Sequence, residues 1–158
     1  AMLKRFATLT LLLAFAAPAQ AADPAHLMLV KTKAKFEDVK EDVVNAVTKR
    51  GLVVDYTAHI GGMLDRTAKD VGATKKIYDR AEAVQFCSAT LSRRMMEADP
   101  ANIVFCPYVV VIYPLAADPG TVHVGYRRPQ QTGTPASRAS LKAVDELLSG
   151  IVREAVKK

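Results

Sequence analysis

Two cysteines are the residues of this sequence that are best suited to chemistry. Cys87 and Cys106 stand 19 positions apart, and the chain of 158 residues has no third cysteine. Two thiols can form a structural disulfide, act as a reversible redox couple, or stay as two free thiols. Cys87 directly precedes a predicted helix, whose dipole is expected to lower the pKa of the thiol. The sequence leaves a disulfide, a thiol-based redox protein and free thiols open as alternatives.

A soft-metal site is a further alternative for the same pair. Met95 and Met96 follow on the predicted helix after Cys87. Thiolate and thioether ligands together select Cu(I), so a copper-handling protein built on these four sulfur residues is one hypothesis. Met95 also lies four positions after Leu91, which is the spacing of two core residues on one helix face. The core interpretation is favoured, and no cofactor is expected.

Four other side chains are candidates for contact with a small ligand. They are His59, Arg93, His123 and Arg127. No two histidines stand at the spacing of a metal site. His123 alternates with Val122 and Val124 in a predicted strand, so its side chain is expected to face away from the core.

The sequence lacks the short motifs of several enzyme classes. It has no phosphate-binding loop, no GxGxxG, no GxSxG, no HExxH and no CxxC or CxxCH. These absences disfavour nucleotide enzymes, serine hydrolases, zinc proteases, thioredoxin-like proteins and c-type cytochromes. The leading expectation is a small binding or accessory domain without catalytic function, which holds its ligand in a cleft between sheet and helices.

Periodic apolar residues predict the elements that must position these side chains. Strands are predicted at 27–32, 52–57, 83–87, 103–113 and 122–126. Helices are predicted between the first four strands and at the C-terminus, which gives the order β-α-β-α-β-α-β-β-α. This order favours an α+β fold, with a single sheet of about five strands and helices packed mainly on one face.

The same periodicity predicts the core and the position of the cysteines. The expected core residues are Phe36, Val43, Val47, Leu52, Val84, Phe86, Val109, Val111, Leu141, Val144 and Leu148. A helix between Cys87 and Cys106 is expected to connect two parallel neighbouring strands. The Cα atoms of the two cysteines are then expected within the roughly 4.4–6.8 Å that a disulfide accepts.

Two runs of sequence resemble one known family. The run FEDVKEDVVNAVTKRGLVV resembles the opening helix and strand of the family called domain of unknown function 302. The run VQFCSATLSRRMMEADPANIVFCPYVVVIYP, followed by VHVGYRRP, is similar to that family's distal half. The resemblance covers residues 29–129 and implies an α+β domain that tends to self-associate, so a homo-oligomer is one expected state. It implies no activity and no functional residues.

The N-terminus has the pattern of a secretory signal peptide. Two basic residues precede an uncharged apolar stretch at 6–17, and AQA at 19–21 has the small-x-small pattern of a cleavage site. We expect residues 1–21 to be removed by cleavage between Ala21 and Ala22. Residues 22–158 are then a single domain, which is expected to be periplasmic or secreted and soluble.

Charge and hydropathy exclude further classes of partner. The formal net charge is +6 and falls to +4 when the signal peptide, with Lys4 and Arg5, is removed. A charge this small in an exported protein argues against nucleic acid as a partner. The longest apolar stretch, near the N-terminus, is too short to cross a bilayer, and no second such stretch follows it. The expected partner is a small ligand or a periplasmic protein.

Overall fold

One antiparallel sheet of five strands forms the frame of the domain. The computed structural model describes residues 25–157, so the predicted signal peptide and its cleavage site lie outside the described residues. The strands are β1 (Leu27–Thr32), β2 (Val53–Ala58), β3 (Glu82–Cys87), β4 (Tyr108–Leu115) and β5 (Asp118–Arg127). Their order in the sheet is β1-β5-β4-β3-β2.

Four α-helices connect or follow these strands. They are α1 (Phe36–Thr48), α2 (Ile60–Thr67), α3 (Ala89–Ala98) and α4 (Pro135–Ala155), and a 3₁₀ helix, Pro100–Phe105, precedes β4. The predicted α+β class and the order of its strands and α-helices are confirmed. Within residues 25–157, none of these helices is long and apolar enough to span a membrane.

Local sequence signals set the ends of three helices. Ser88 Oγ accepts a hydrogen bond of 3.3 Å from the backbone N–H of Leu91 and caps α3. Thr134 Oγ1 accepts one of 3.1 Å from the N–H of Ser137 and caps α4. Gly51 follows α1 with a φ of +72°, a left-handed conformation that glycine adopts without strain. Each of these three boundaries was predictable from residue type.

The two faces of the sheet differ in what covers them. We call the side that carries Val84, Val110 and Val124 the helix face, because these side chains are buried in one core with residues of α1, α3 and α4. The opposite side, which carries Val109 and Val111, is called the open face, and both of these valines are only half-buried. The predicted packing of helices mainly on one face of the sheet is therefore confirmed.

The structure corrects the predicted core at three positions. Val109 and Val111 lie on the open face, whereas Val110 and Ile112 are fully buried on the helix face. The run 109–112 is apolar at every position, so its pattern does not show which residues face the helices. Leu52 is half-buried and packs against the edge of the core, because it precedes β2 rather than lying within it.

The prediction of a strand over 103–113 is wrong at its N-terminal end. Asp99 Oδ1 accepts a hydrogen bond of 2.9 Å from the N–H of Ala101 and begins the 3₁₀ helix that occupies 100–105. Pro107 has no N–H for the sheet, and β4 begins only at Tyr108. The apolar residues of this segment thus cover the end of the sheet instead of extending β4.

The predicted parallel arrangement of β3 and β4 is also wrong. Glu82 pairs with Ile112 and Phe86 pairs with Tyr108, which is an antiparallel register. The reason is that α3 and the 3₁₀ helix together return the chain to the end of the sheet where β3 stops. β4 therefore starts beside the last residues of β3, and the two cysteines flank this connection.

Candidate ligand cavity and cysteine pair

A cavity opens where β4 and β5 separate at one end of the sheet. Their pairing begins at the hairpin and stops at Val111 and Gly125. In the described ladders, residues 108–110 of β4 pair with β3, while Tyr126 and Arg127 of β5 pair with β1. The diverging strands leave a cavity of about 390 Å³, which is within the size range of small-molecule sites.

The walls of this cavity are largely apolar. Leu27 and Leu29 of β1 form one side, and Val109 and Val111 of β4 form the other. The segment 104–107, which contains the last two residues of the 3₁₀ helix and the two residues before β4, covers one end. Gly125 keeps the ladder between β1 and β5 close, since a Cβ there would collide with the carbonyl oxygen of Met28. Because its lining is largely apolar, the cavity is suited to a hydrocarbon or aromatic group.

Arg127 is the charged residue of the cavity wall. It ends β5, is exposed, and has no ion-pair partner among residues 25–157. Its neighbour Arg128 points to the opposite side, where it donates to both carboxylate oxygens of Asp145 at 3.1 and 2.9 Å. Tyr126 Oη donates to the same carboxylate at 2.7 Å. The last residue of β5 and the residue that follows it thus differ: Arg128 is in an ion pair, whereas Arg127 lies beside the cavity without one among the described residues.

Cys87 and Cys106 lie together at the same end of the sheet. Their Sγ atoms are 3.0 Å apart, and both thiols are half-buried and unbonded. Cys106 Sγ is also 3.7 Å from the hydroxyl of Ser92 on α3, which in turn lies 3.0 Å from Tyr108 Oη. The structure therefore brings the two cysteines within reach of a disulfide, through an antiparallel rather than a parallel connection.

The expected lowering of the Cys87 pKa at the start of α3 does not occur. Burial, followed by the hydrogen bond and charge interaction with Cys106, raises the pKa of Cys87 to about 12. Loss of hydration at this site outweighs the dipole of the short helix α3. Cys87 is consequently protonated at neutral pH, which slows its attack on a disulfide and opposes its use as a thiolate metal ligand.

The methionines of the copper hypothesis belong to the core. Met95 is completely buried, and Met96 is half-buried against the same core cluster. Among residues 25–157 there is no group of three or more His, Cys, Asp or Glu side chains arranged to hold a metal ion. The pair of thiols is therefore the part of the predicted sulfur cluster that the structure places at a partly accessible position.

The four candidate ligand residues do not lie together. Of these, only Arg127 lines the cavity. Arg93 is on the surface of α3, where it pairs with Glu97 at 3.0 Å. His123 is buried on the open face with its ring stacked on Tyr113, and its Nδ1 has no hydrogen-bond partner among the described residues. His59 lies at the start of α2, in contact with Glu82.

Glu82 is the centre of a buried charge cluster that the sequence did not indicate. Its carboxylate is 2.6 Å from Lys40 Nζ, 3.3 Å from Arg80 Nη2 and 3.4 Å from His59 Nδ1. Burial favours the protonated form, but Lys40, with His59 and Arg80, outweighs it and lowers the pKa of Glu82. Arg80 also pairs with Glu37 and lies over the ring of Phe36. The cluster joins α1 to β3 and α2.

Sequence reasoning missed most of the cavity wall, although one signal pointed to it. The sequence places Leu27, Leu29 and the segment 104–107 in predicted strands, but it does not show which face of the sheet each side chain occupies. The pair Arg127-Arg128 at the end of a strand does carry information, since successive residues of a strand face opposite sides. One of the two had to lie on the face that the helices do not cover.

Comparison with known proteins assigns the fold but no activity. The family model described as "Domain of unknown function DUF302" matches residues 28–155. A crystal structure of an uncharacterized conserved DUF302 protein from Bacillus stearothermophilus is similar, with a TM-score of 0.69 and 14% sequence identity. The match covers 84% of this chain and 99% of that chain, and at this identity it shows the fold alone. None of the curated proteins matches the chain.

Proposed function

The chain belongs to the DUF302 family, whose description names no activity, and we propose from its own geometry that it is a binding domain for a small amphipathic anion. The single observation that carries this proposal is the largely apolar cavity between β4 and β5, whose wall contains an arginine without an ion-pair partner among residues 25–157. An apolar body is expected to fill the cavity, and its carboxylate, sulfonate or phosphate group is expected to contact Arg127.

Physical complementarity supports an anionic, partly apolar ligand over a purely polar one. Burial of hydrocarbon in the cavity is favourable by about 25 cal/mol per Å² of apolar surface. A guanidinium fork provides paired donors for an anionic head group. Arg127 is exposed, so its contribution is expected to be up to about 1 kcal/mol, the range of exposed ion pairs. The apolar contact therefore supplies most of the affinity, and the arginine selects the charge.

Two matched dyes separate the contribution of the apolar cavity from the contribution of Arg127. Anilinonaphthalene sulfonate carries an anionic group, and N-phenyl-naphthylamine has the same aromatic body without it. Arg127→Gln should weaken binding of the sulfonate about three- to fivefold, because it removes an exposed charge contact. It should leave binding of the neutral dye unchanged. Fluorescence titration of both dyes gives the dissociation constants, and Arg94→Gln, an exposed arginine on α3 outside the cavity wall, is the control.

A second variant tests the cavity itself. Val109→Phe adds a ring from the half-buried open face and should weaken binding of both dyes at least tenfold. Circular dichroism and urea unfolding establish that each variant is folded. Unchanged binding of both dyes to the Val109 variant would show that they bind elsewhere and would remove the basis of the proposed function.

A second candidate function is thiol-based redox chemistry, which is favoured by the separation of 3.0 Å between the thiols of Cys87 and Cys106. Equilibration with glutathione buffers and counting of free thiols gives the reduction potential of the pair. A potential close to that of the glutathione pool supports exchange with other thiols. A potential below about −300 mV is typical of a structural disulfide and would contradict a redox role.

Export of the protein is a further part of the proposed function. It would place the cysteine pair in a compartment where disulfides form and persist. The basis is the signal pattern at residues 1–21. Intact-mass measurement of protein from the periplasmic fraction should show Ala22 as the first residue. Soluble protein that retains residues 2–21 in that fraction would contradict cleavage at this position.

A further inference from the structure

The cysteine pair and the cavity meet in one short segment of chain. Cys106 lies between Phe105 and Pro107, and both of these residues line the cavity. Tyr108 continues the same wall into β4. Cys106 Sγ is 3.0 Å from Cys87 Sγ, at the end of β3. Any displacement of Cys106 is therefore carried by the backbone to the cavity wall on both sides of it.

Formation of a disulfide would link the segment that carries this wall covalently to the end of β3. An S–S bond is about 2.05 Å long, so the sulfur atoms must approach by about 1 Å from their present separation of 3.0 Å. β3 and β5 lie on opposite sides of β4 in the sheet. The bond would therefore tie Cys106, and with it the segment 104–107, to β3, on the side of β4 away from Arg127.

The bond would also fix the segment that forms the end wall. Val104 is 70% exposed and Pro107 is exposed as well, whereas Phe105 and Cys106 are half-buried against the core, so two of the four side chains hold the segment 104–107 in place. A covalent link from its third residue to β3 reduces the conformational freedom of the free protein. Less freedom is then lost when a ligand binds, which strengthens binding.

We propose that Cys87 and Cys106 form a thiol–disulfide exchange site, and that their oxidation increases the affinity of the cavity for its anionic ligand. This inference rests on the proposed function, because it takes the cavity as the ligand site. It assigns to the cysteines a role in binding, although neither thiol is part of the cavity wall.

The exchange uses the disulfide of a second thiol compound as oxidant. The sulfur of one cysteine attacks one sulfur of the oxidant, which breaks its S–S bond, releases one thiol and leaves a mixed disulfide. The sulfur of the other cysteine then attacks the protein sulfur of that mixed disulfide and releases the second thiol. Two electrons pass to the oxidant, and the two protons lost by Cys87 and Cys106 are taken up by the two released thiols.

The experiment compares wild-type protein in two redox states. One sample is oxidised with oxidised glutathione and the other is kept in reduced dithiothreitol, and titration of thiols in denaturant counts none and two, respectively. After removal of the small thiols, both are titrated with anilinonaphthalene sulfonate. The oxidised protein is expected to bind the dye about three- to tenfold more tightly.

A variant without the two thiols tests whether the oxidant changes dye binding through any other group of the protein. The double variant Cys87→Ser, Cys106→Ser should bind the dye with the affinity of the reduced wild type and should not respond to oxidant. Equal affinity of fully oxidised and fully reduced wild type would overturn the inference, as would a response of the double variant or failure of the two thiols to join.

The proposed function fails separately from this inference. If both redox states bind the dye equally and Arg127→Gln and Val109→Phe still weaken binding, the cavity is the ligand site and only the coupling is wrong. If neither state binds the dye, the proposed function and this inference are both wrong.

Discussion

The helix face and the open face of the sheet are made from similar residues. They differ in how deeply their apolar side chains are buried and in whether their charged side chains are paired. On the helix face, valine and isoleucine side chains are fully buried, and the buried carboxylate of Glu82 lies within 3.4 Å of Lys40, Arg80 and His59. On the open face, apolar side chains are half-buried, and Arg127 has no ion-pair partner among the described residues. The helix face provides the core of the fold, whereas the open face leaves apolar side chains and a charged side chain accessible.

The largest expected difference between the faces comes from neighbouring residues of β4. Ile112→Ala removes a fully buried side chain and should lower the free energy of unfolding by about 2–5 kcal/mol. Val111→Ala, on the half-buried open face, should lower it by about 1 kcal/mol or less. Urea unfolding followed by circular dichroism measures both. Equal costs would show that the open face is covered as fully as the helix face.

The next effect concerns the end of the sheet where the cysteines lie. A disulfide between Cys87 and Cys106 closes a loop that contains α3 and the 3₁₀ helix, and it should raise the free energy of unfolding by about 3 kcal/mol. Unfolding of the oxidised and the reduced protein gives this difference directly. The double serine variant should show no difference between the two conditions. A destabilisation on oxidation would mean that bond formation distorts the end of β3.

Removal of the Glu82 carboxylate tests the charge cluster on the helix face. Glu82→Gln should lower the free energy of unfolding by about 1.5–3 kcal/mol at neutral pH, because hydrogen bonds to a charged group are lost. Glu97→Gln is the control, since Glu97 is exposed in its pair with Arg93 and should contribute about 0.5 kcal/mol or less.

The same cluster predicts a pH dependence. The pKa of Glu82 is lowered from its ordinary value of 4.5, so the folded protein holds the charged form more strongly than the unfolded chain does. The stabilisation is therefore complete above about pH 4.5 and is lost as the pH falls through the folded pKa. The stability difference between wild type and Glu82→Gln should shrink below pH 4.5. A difference that grows on acidification would contradict the pairing with Lys40.

The sequence predicted the elements of this fold better than their arrangement. Helix ends at Gly51, Ser88 and Thr134 follow from local chemistry and were correct. Proximity of the cysteines is also correct, but the parallel connection from which it was predicted is wrong, because the chain returns to the end of β3 and pairs antiparallel with it. Local signals were sufficient where the interaction spans a few residues.

The cavity was not predictable in the same way. It exists because residues 108–110 of β4, which precede Val111, do not pair with β5, and this depends on the partners of both strands rather than on either sequence. The face of Val109 and the contact of Glu82 with Lys40 of α1 are likewise non-local properties. A uniformly apolar run such as 109–112 has no polar residue to show which side is covered.

The smallest expected effect uses one substitution on both faces. Val110→Thr places a hydroxyl on the fully buried helix face, where an unpaired hydroxyl costs about 1–3 kcal/mol. Val53→Thr makes the same change at the start of the edge strand β2, where the side chain is 71% exposed. Threonine is β-branched and keeps the strand preference of valine, so the stability should change by less than about 0.5 kcal/mol. Urea unfolding measures both variants. A cost above about 1 kcal/mol for Val53→Thr would mean that this edge is covered in solution, and sedimentation analysis at several protein concentrations would then show whether a second copy of the chain covers it.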